Sequence, residues 1–201
     1  MPVTDFADDF RRDLAGVGVV ASNVWELVNT RQDYHLAIPV LLDWASNIVE
    51  RVPEADRSRF CEGLVRSLTT TKAQPVAART MIDLFTSQIF ENDRLLLWTV
   101  GNAVSVVSDD SYFQELVGIA QDRKYGMSRQ MIVLGLGRSK RPEVIPILID
   151  LLRDDDVVLQ AYDAIKKINP PEIRTIAAGL LQNEKAQVRK EAANTIRKIG
   201  D

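Results

Sequence analysis

Few residues of this chain have the types and spacing that chemistry requires. Its single histidine, His35, has no serine or cysteine motif to complete a nucleophile and base pair. Its single cysteine lies in Arg59-Phe60-Cys61-Glu62-Gly63-Leu64, at a helical position among apolar residues. That setting predicts a buried structural thiol, and a lone cysteine excludes an internal disulfide. One histidine and one cysteine are too few ligands for a typical zinc site. There is no Gly-rich phosphate loop, and Leu134-Gly135-Leu136-Gly137 lacks the strand and helix spacing of a dinucleotide site. Those glycines read instead as a crowded helix-packing surface. The acidic runs Asp109-Asp110 and Asp154-Asp155-Asp156 fall at turns, where carboxylates favour the N-terminus of the next helix. The chain therefore reads as non-catalytic, and no cofactor or metal is expected.

What does recur is an aspartate in a fixed setting. Ala37-Ile38-Pro39-Val40-Leu41-Leu42-Asp43-Trp44 is repeated almost residue for residue by Val144-Ile145-Pro146-Ile147-Leu148-Ile149-Asp150-Leu151. Ile82-Asp83-Leu84 supplies a third copy, and two further alignments place Gly118 and Gly179 at the same position. A line of carboxylates steers a complementary, basic partner towards it and penalises wrong ones. Equally, each aspartate suits a solvated surface or a local pair with Arg79 or Arg153. Trp25, Trp44 and Trp98 add aromatic anchors. Trp98, inside Leu95-Leu96-Leu97-Trp98, reads as core, whereas Trp25 and Trp44 lie nearer an uncovered N-terminal edge and are expected to be partly exposed.

The elements that must position these residues are helices copied in tandem. Pro142 to Leu152 is echoed 29 positions on by Pro171 to Leu181, and Val158 to Ile168 aligns with Arg189 to Ile199 and with Arg129 to Ser139. The unit is about 30 residues and holds two helices. First helices are expected at Ser58–Leu68, Arg94–Val107, Arg129–Ser139, Asp156–Ile168 and Arg189–Ile199. Second helices are expected near 37–44, at Ala77–Phe85, at Tyr112–Ala120, at Pro142–Arg153 and at Pro171–Leu181. About five pairs result. The polar stretch to about Leu14, with Thr4 and Asp5 as caps, reads as a terminal cap within residues 1–20. No linker divides the chain, so residues 1–201 are expected to form one all-α domain, clearest over 125–201.

The runs Lys185-Ala186-Gln187-Val188-Arg189-Lys190-Glu191-Ala192-Ala193 and Ile196-Arg197-Lys198-Ile199-Gly200 resemble short HEAT repeats, in the compact form noted in phycobilisome lyases. The resemblance implies a right-handed α-α superhelix whose second helices line a concave side. The function implied is a scaffold that holds a protein or peptide there, with Asp43, Asp83, Asp150, Arg79, Arg153, Trp25 and Trp44 as candidate contacts. The family's arginine at the start of the first helix stands at Arg129 and Arg189, but Val158 takes that place between them, which interrupts an aspartate-arginine ladder. Two relatives supply alternatives. One is a bilin lyase or chaperone-type subunit, although nothing outside the repeat supports pigment chemistry. The other is a HEAT-like DNA glycosylase, for which Trp98 with Asp93 or Arg129 invites comparison.

Lys and Arg total 25 against 28 Asp and Glu, a formal charge of −3. Nucleic-acid binding draws on basic surface, so such a partner is disfavoured. The acidic start Met1-Pro2-Val3-Thr4-Asp5 is unlike a secretory signal, and no apolar run approaches the roughly 20 residues of a membrane span. A cytoplasmic location is expected.

Overall fold

A computed structural model describes residues 5–28 and 30–200, and Thr4, one of the two expected caps, lies outside them. Every regular element among the described residues is helical. The Asp5 carboxylate accepts a hydrogen bond from the Ala7 N–H at 3.2 Å and opens α1 (Phe6–Gly16), with Asp8 and Asp9 in the first turn where the helix dipole favours acid. There follow α2 (Trp25–Val28), α3 (Ile38–Ser46), α4 (Ile48–Arg51), α5 (Glu54–Leu68), α6 (Ala78–Thr86) and α7 (Arg94–Val107). Asp93 caps α7 through the Leu96 N–H at 3.0 Å. The remaining helices are α8 (Phe113–Gln121), α9 (Gln130–Leu136), α10 (Val144–Leu151), α11 (Val158–Ile168), α12 (Ile173–Gly179) and α13 (Ala186–Gly200). Pro39 and Pro146 sit in the first turns of α3 and α10, where a missing N–H leaves no bond unmade.

All ten helices expected from the repeat are present, with ends displaced by a few residues. Their pairing differs from expectation. Each second helix packs most extensively on the first helix that follows it: α3 on α5, α6 on α7, α8 on α9, α10 on α11 and α12 on α13. A tandem period of about 30 residues is unchanged wherever the cut is made, so periodicity alone does not set the frame. The chain gathers into two compact units, Met1–Asp109 and Asp110–Asp201. The division falls between α7 and α8, so neither unit splits a hairpin.

In the first unit α5 packs on α7 and α3 on α6, while Phe10, Trp44 and Phe60 meet edge to face at the N-terminal end. Centroid separations of 5.1 to 5.6 Å are within the range aromatic rings prefer. In the second unit α9 packs on α11, and Val133, Leu136, Leu148, Leu151, Ala161 and Ile165 are in its core. There the expected crowding at the glycines is found at Gly137, where an added Cβ would stand 2.9 Å from Ala164 Cα. Backbone cannot swing aside as a side-chain tip can. Gly137→Ala is therefore expected to lower stability by roughly 1–3 kcal/mol, read as a lower chemical or thermal unfolding midpoint.

Candidate functional site

The structure keeps the recurring aspartates on the surface. Asp43, Asp83 and Asp150 all face solvent, on α3, α6 and α10, and so do Gly118 on α8 and Gly179 at the end of α12. Within the first unit α3 and α6 are neighbours, with the hydroxyls of Ser46 and Thr80 3.4 Å apart. Each aspartate also has a local arginine. Arg79 holds Asp83 through Nε at 3.0 Å and a second nitrogen at 2.8 Å, and Arg153 stands 3.6 Å from Asp150. Asp43 is bound by Arg51 at 2.5 Å and by the Asn47 amide at 2.9 Å. These exposed pairs contribute little to stability. Their effect is on character: the surface is of mixed charge, not a bare row of carboxylates.

Arg51 was not legible as a site residue, because its role depends on contacts across three helices. It binds Asp43 on α3, reaches Asp13 on α1 at 3.1 Å, and lies over the Trp44 ring at 4.8 Å. The Trp44 indole N–H donates to the same Asp13 carboxylate at 2.9 Å. Trp44 is 1% exposed, which corrects the expectation that it is partly open, because α1 covers the edge that the sequence left bare. Its ring packs against Phe10 and Phe60 and is not an exposed anchor.

Trp98 is corrected in the opposite sense. It is 36% exposed, and Leu95 one turn before it is 71% exposed. Leu96, Leu97, Val100, Ala103 and Val104 take the buried face of α7 instead. Four consecutive apolar residues conceal the helical phase that separates them. Trp25 is half-buried, as expected, and lines a cleft of about 150 Å³ with Phe6, Phe10, Phe60, Asp56 and Arg59. Gly63 lets the chain before Trp25 press onto α5, since an added Cβ would collide with Val24 Cγ1.

A second, polar cleft of about 300 Å³ lies around Arg31, Asp33, Tyr34, His35 and Lys72. His35 thus has a carboxylate partner, Asp33 at 3.1 Å, which also takes Lys72 at 2.9 Å. The Lys72 hydrogen bond, with two more from His35, holds the Asp33 carboxyl well below the usual range. Cys61 is buried, and desolvation followed by the nearby Asp93 charge pushes its thiol up to about 12. It is the structural thiol the sequence predicts. Among the described residues, no three metal-ligating side chains gather and no helix is long and apolar enough to cross a membrane. Comparison with protein-family models, curated proteins and solved structures finds no match to this chain.

Two of the residues named for a glycosylase comparison make structural contacts. Asp93 caps α7, and Arg129 is 0% exposed. Arg129 donates to the Ala120 carbonyl and to Asp154, each at 2.7 Å, tying the start of α9 to the turn before α11. Arg189 likewise grips backbone, at the carbonyls of Asn183 and Glu184, both at 2.7 Å. Val158, where the arginine series breaks, is buried in the core of the second unit.

Burial alone would raise the Asp154 carboxyl. The Arg129 hydrogen bond, the Asp156 N–H and the charges of Arg129 and Arg123 outweigh it and hold it below the ordinary range. A depressed folded-state pKa gives stability that is complete above the unfolded value, near 4, and lost as pH falls through the folded value. Arg129→Met should cost about 3 kcal/mol at neutral pH, because Asp154 then lacks its closest partner. Unfolding midpoints measured down to acid pH should show the wild-type advantage shrinking once Asp154 is protonated.

Proposed function

We propose that this chain is a non-catalytic protein-interaction module of the short HEAT type, its hairpins forming a right-handed superhelix. In this reading the register shared by Asp43, Asp83, Gly118, Asp150 and Gly179 meets a protein or peptide partner. The observation that carries it is Gly118: outside its own helix nothing lies within 4 Å of where a Cβ would stand, and its φ is not positive. Gly179 has the same open space but ends α12, where glycine is ordinary. Gly118 lies well inside α8, where glycine costs roughly 0.5–1 kcal/mol relative to alanine. With neither packing nor backbone geometry asking for it, a residue that weakens its helix points to use by something outside the chain. Glycine lets a partner's backbone come close to the helix, and the aspartates supply acceptors at the same register of their own helices.

The local arginines refine the partner's chemistry. A purely basic arm would meet Arg51, Arg79 and Arg153 as well as the three carboxylates. A partner with basic groups spaced to match the aspartates fits better, and its charge governs specificity and encounter rate more than affinity.

Two measurements test the reading. With Asp43, Asp83 and Asp150 all changed to Lys, affinity capture from the source cell should lose the partner that the wild type retains, at unchanged helicity by circular dichroism. Undiminished capture would sink the assignment of these residues. Gly118→Ala should raise the unfolding free energy by roughly 0.5–1 kcal/mol while weakening capture. A variant that is stabilised and captures normally would show that the glycine serves no partner.

A further inference from the structure

The aromatic cleft of the first unit shares no residue with the aspartate register. Phe6 and Phe10 of α1 and Phe60 of α5 stand edge to face, at 5.3 and 5.1 Å with interplanar angles of 86°, and Trp25 adds a fourth aromatic side. A volume of about 150 Å³ suits one six-membered ring, since apolar cavities of this size admit benzene. Such walls favour an aromatic guest, which can adopt the same T-shaped geometry as the rings already there.

Two residues on its lining set the guest's polar part. Asp56 and Arg59 are exposed and one turn apart on α5. This spacing, acid first and base three residues on, gives an ion pair at four other places, Asp8 with Arg11, Asp9 with Arg12, Asp150 with Arg153 and Asp163 with Lys166, whereas Arg57, three residues after Glu54, binds the Val49 and Val52 carbonyls instead. Asp56 and Arg59 form none among the described residues, so both charges are available at the cleft. A simple cation would be opposed by Arg59 and a simple anion by Asp56. A guest that carries both an ammonium and a carboxylate next to its ring satisfies both.

We propose that this cleft binds a small aromatic zwitterion, an α-amino acid with a phenylalanine-like side chain. Its ring lies among Phe6, Phe10, Trp25 and Phe60, its carboxylate on Arg59 and its ammonium on Asp56.

Titration calorimetry on the full chain at neutral pH tests this with L-phenylalanine and three partial mimics. Benzylamine lacks the carboxylate, 3-phenylpropanoate lacks the ammonium, and L-alanine lacks the ring. Phenylalanine should saturate at one equivalent and shift the tryptophan emission, with benzylamine and 3-phenylpropanoate each weaker by about tenfold or more, the scale of one charge-assisted hydrogen bond, and L-alanine weaker by at least as much for want of the ring. Asp56→Asn and Arg59→Gln, both on the exposed side of α5, should each weaken phenylalanine by about the same factor, with the fold kept and only a small fall in thermal midpoint for Asp56→Asn from the lost first-turn charge. No saturable heat with millimolar phenylalanine would overturn the proposal. So would mimics that bind as tightly as phenylalanine, or unchanged affinity in either variant. Partner capture by these two variants should be normal, so that failure here is distinct from failure of the interaction reading.

Discussion

Helices this short do not stand alone. The helices α9 and α12 have seven residues each, and even α5 and α13 have only fifteen, whereas isolated helices below about 12–15 residues are marginal in water. Their stability is lateral: each must bury an apolar stripe against a neighbour, and close approach needs small residues where axes meet. Gly137 against Ala164 shows the requirement at its tightest. The hairpins follow from it, as does the outward direction of the polar stripe on each second helix. A surface at a repeated register is thus a by-product of how the core is made.

Where sequence and structure agree, the agreement lies on positions that carry period. The ten repeat helices were readable because their apolar residues recur at helical spacing, and the cap at Asp5 because its side chain acts locally. The outward placing of Asp43, Asp83 and Asp150 was readable for the same reason. The hairpin frame was not, since a tandem period has no origin, and the division between α7 and α8 leaves no mark in composition. Trp44 and Trp98 show the two ways burial escapes a linear reading. The first is covered by α1, distant in sequence, and the second is turned outward by a phase that four consecutive apolar residues hide.

The clefts belong wholly to that second class. Phe6 and Phe10 could be placed on one face of a helix from spacing alone, but their meeting with Phe60 and Trp25 needs the long-range packing of α1 and of the segment before α2 onto α5. The unpaired state of Asp56 and Arg59 is likewise invisible in a sequence where the same spacing pairs at Asp8–Arg11 and not at Glu54–Arg57. Chemical character here arises from which local contacts are not made.

The thiol of Cys61 has one more consequence. It is the chain's only sulfhydryl, it is buried, and its ionisation is pushed up to about 12, so near neutrality the folded protein presents almost no thiolate to an alkylating reagent. The native molecule is therefore chemically silent to maleimide and iodoacetamide labels while it stays folded. Any cysteine placed on its surface would carry a dye or spin label without competition, and slow labelling of Cys61 itself would report opening of the first unit, as a rate only where labelling outpaces reclosing.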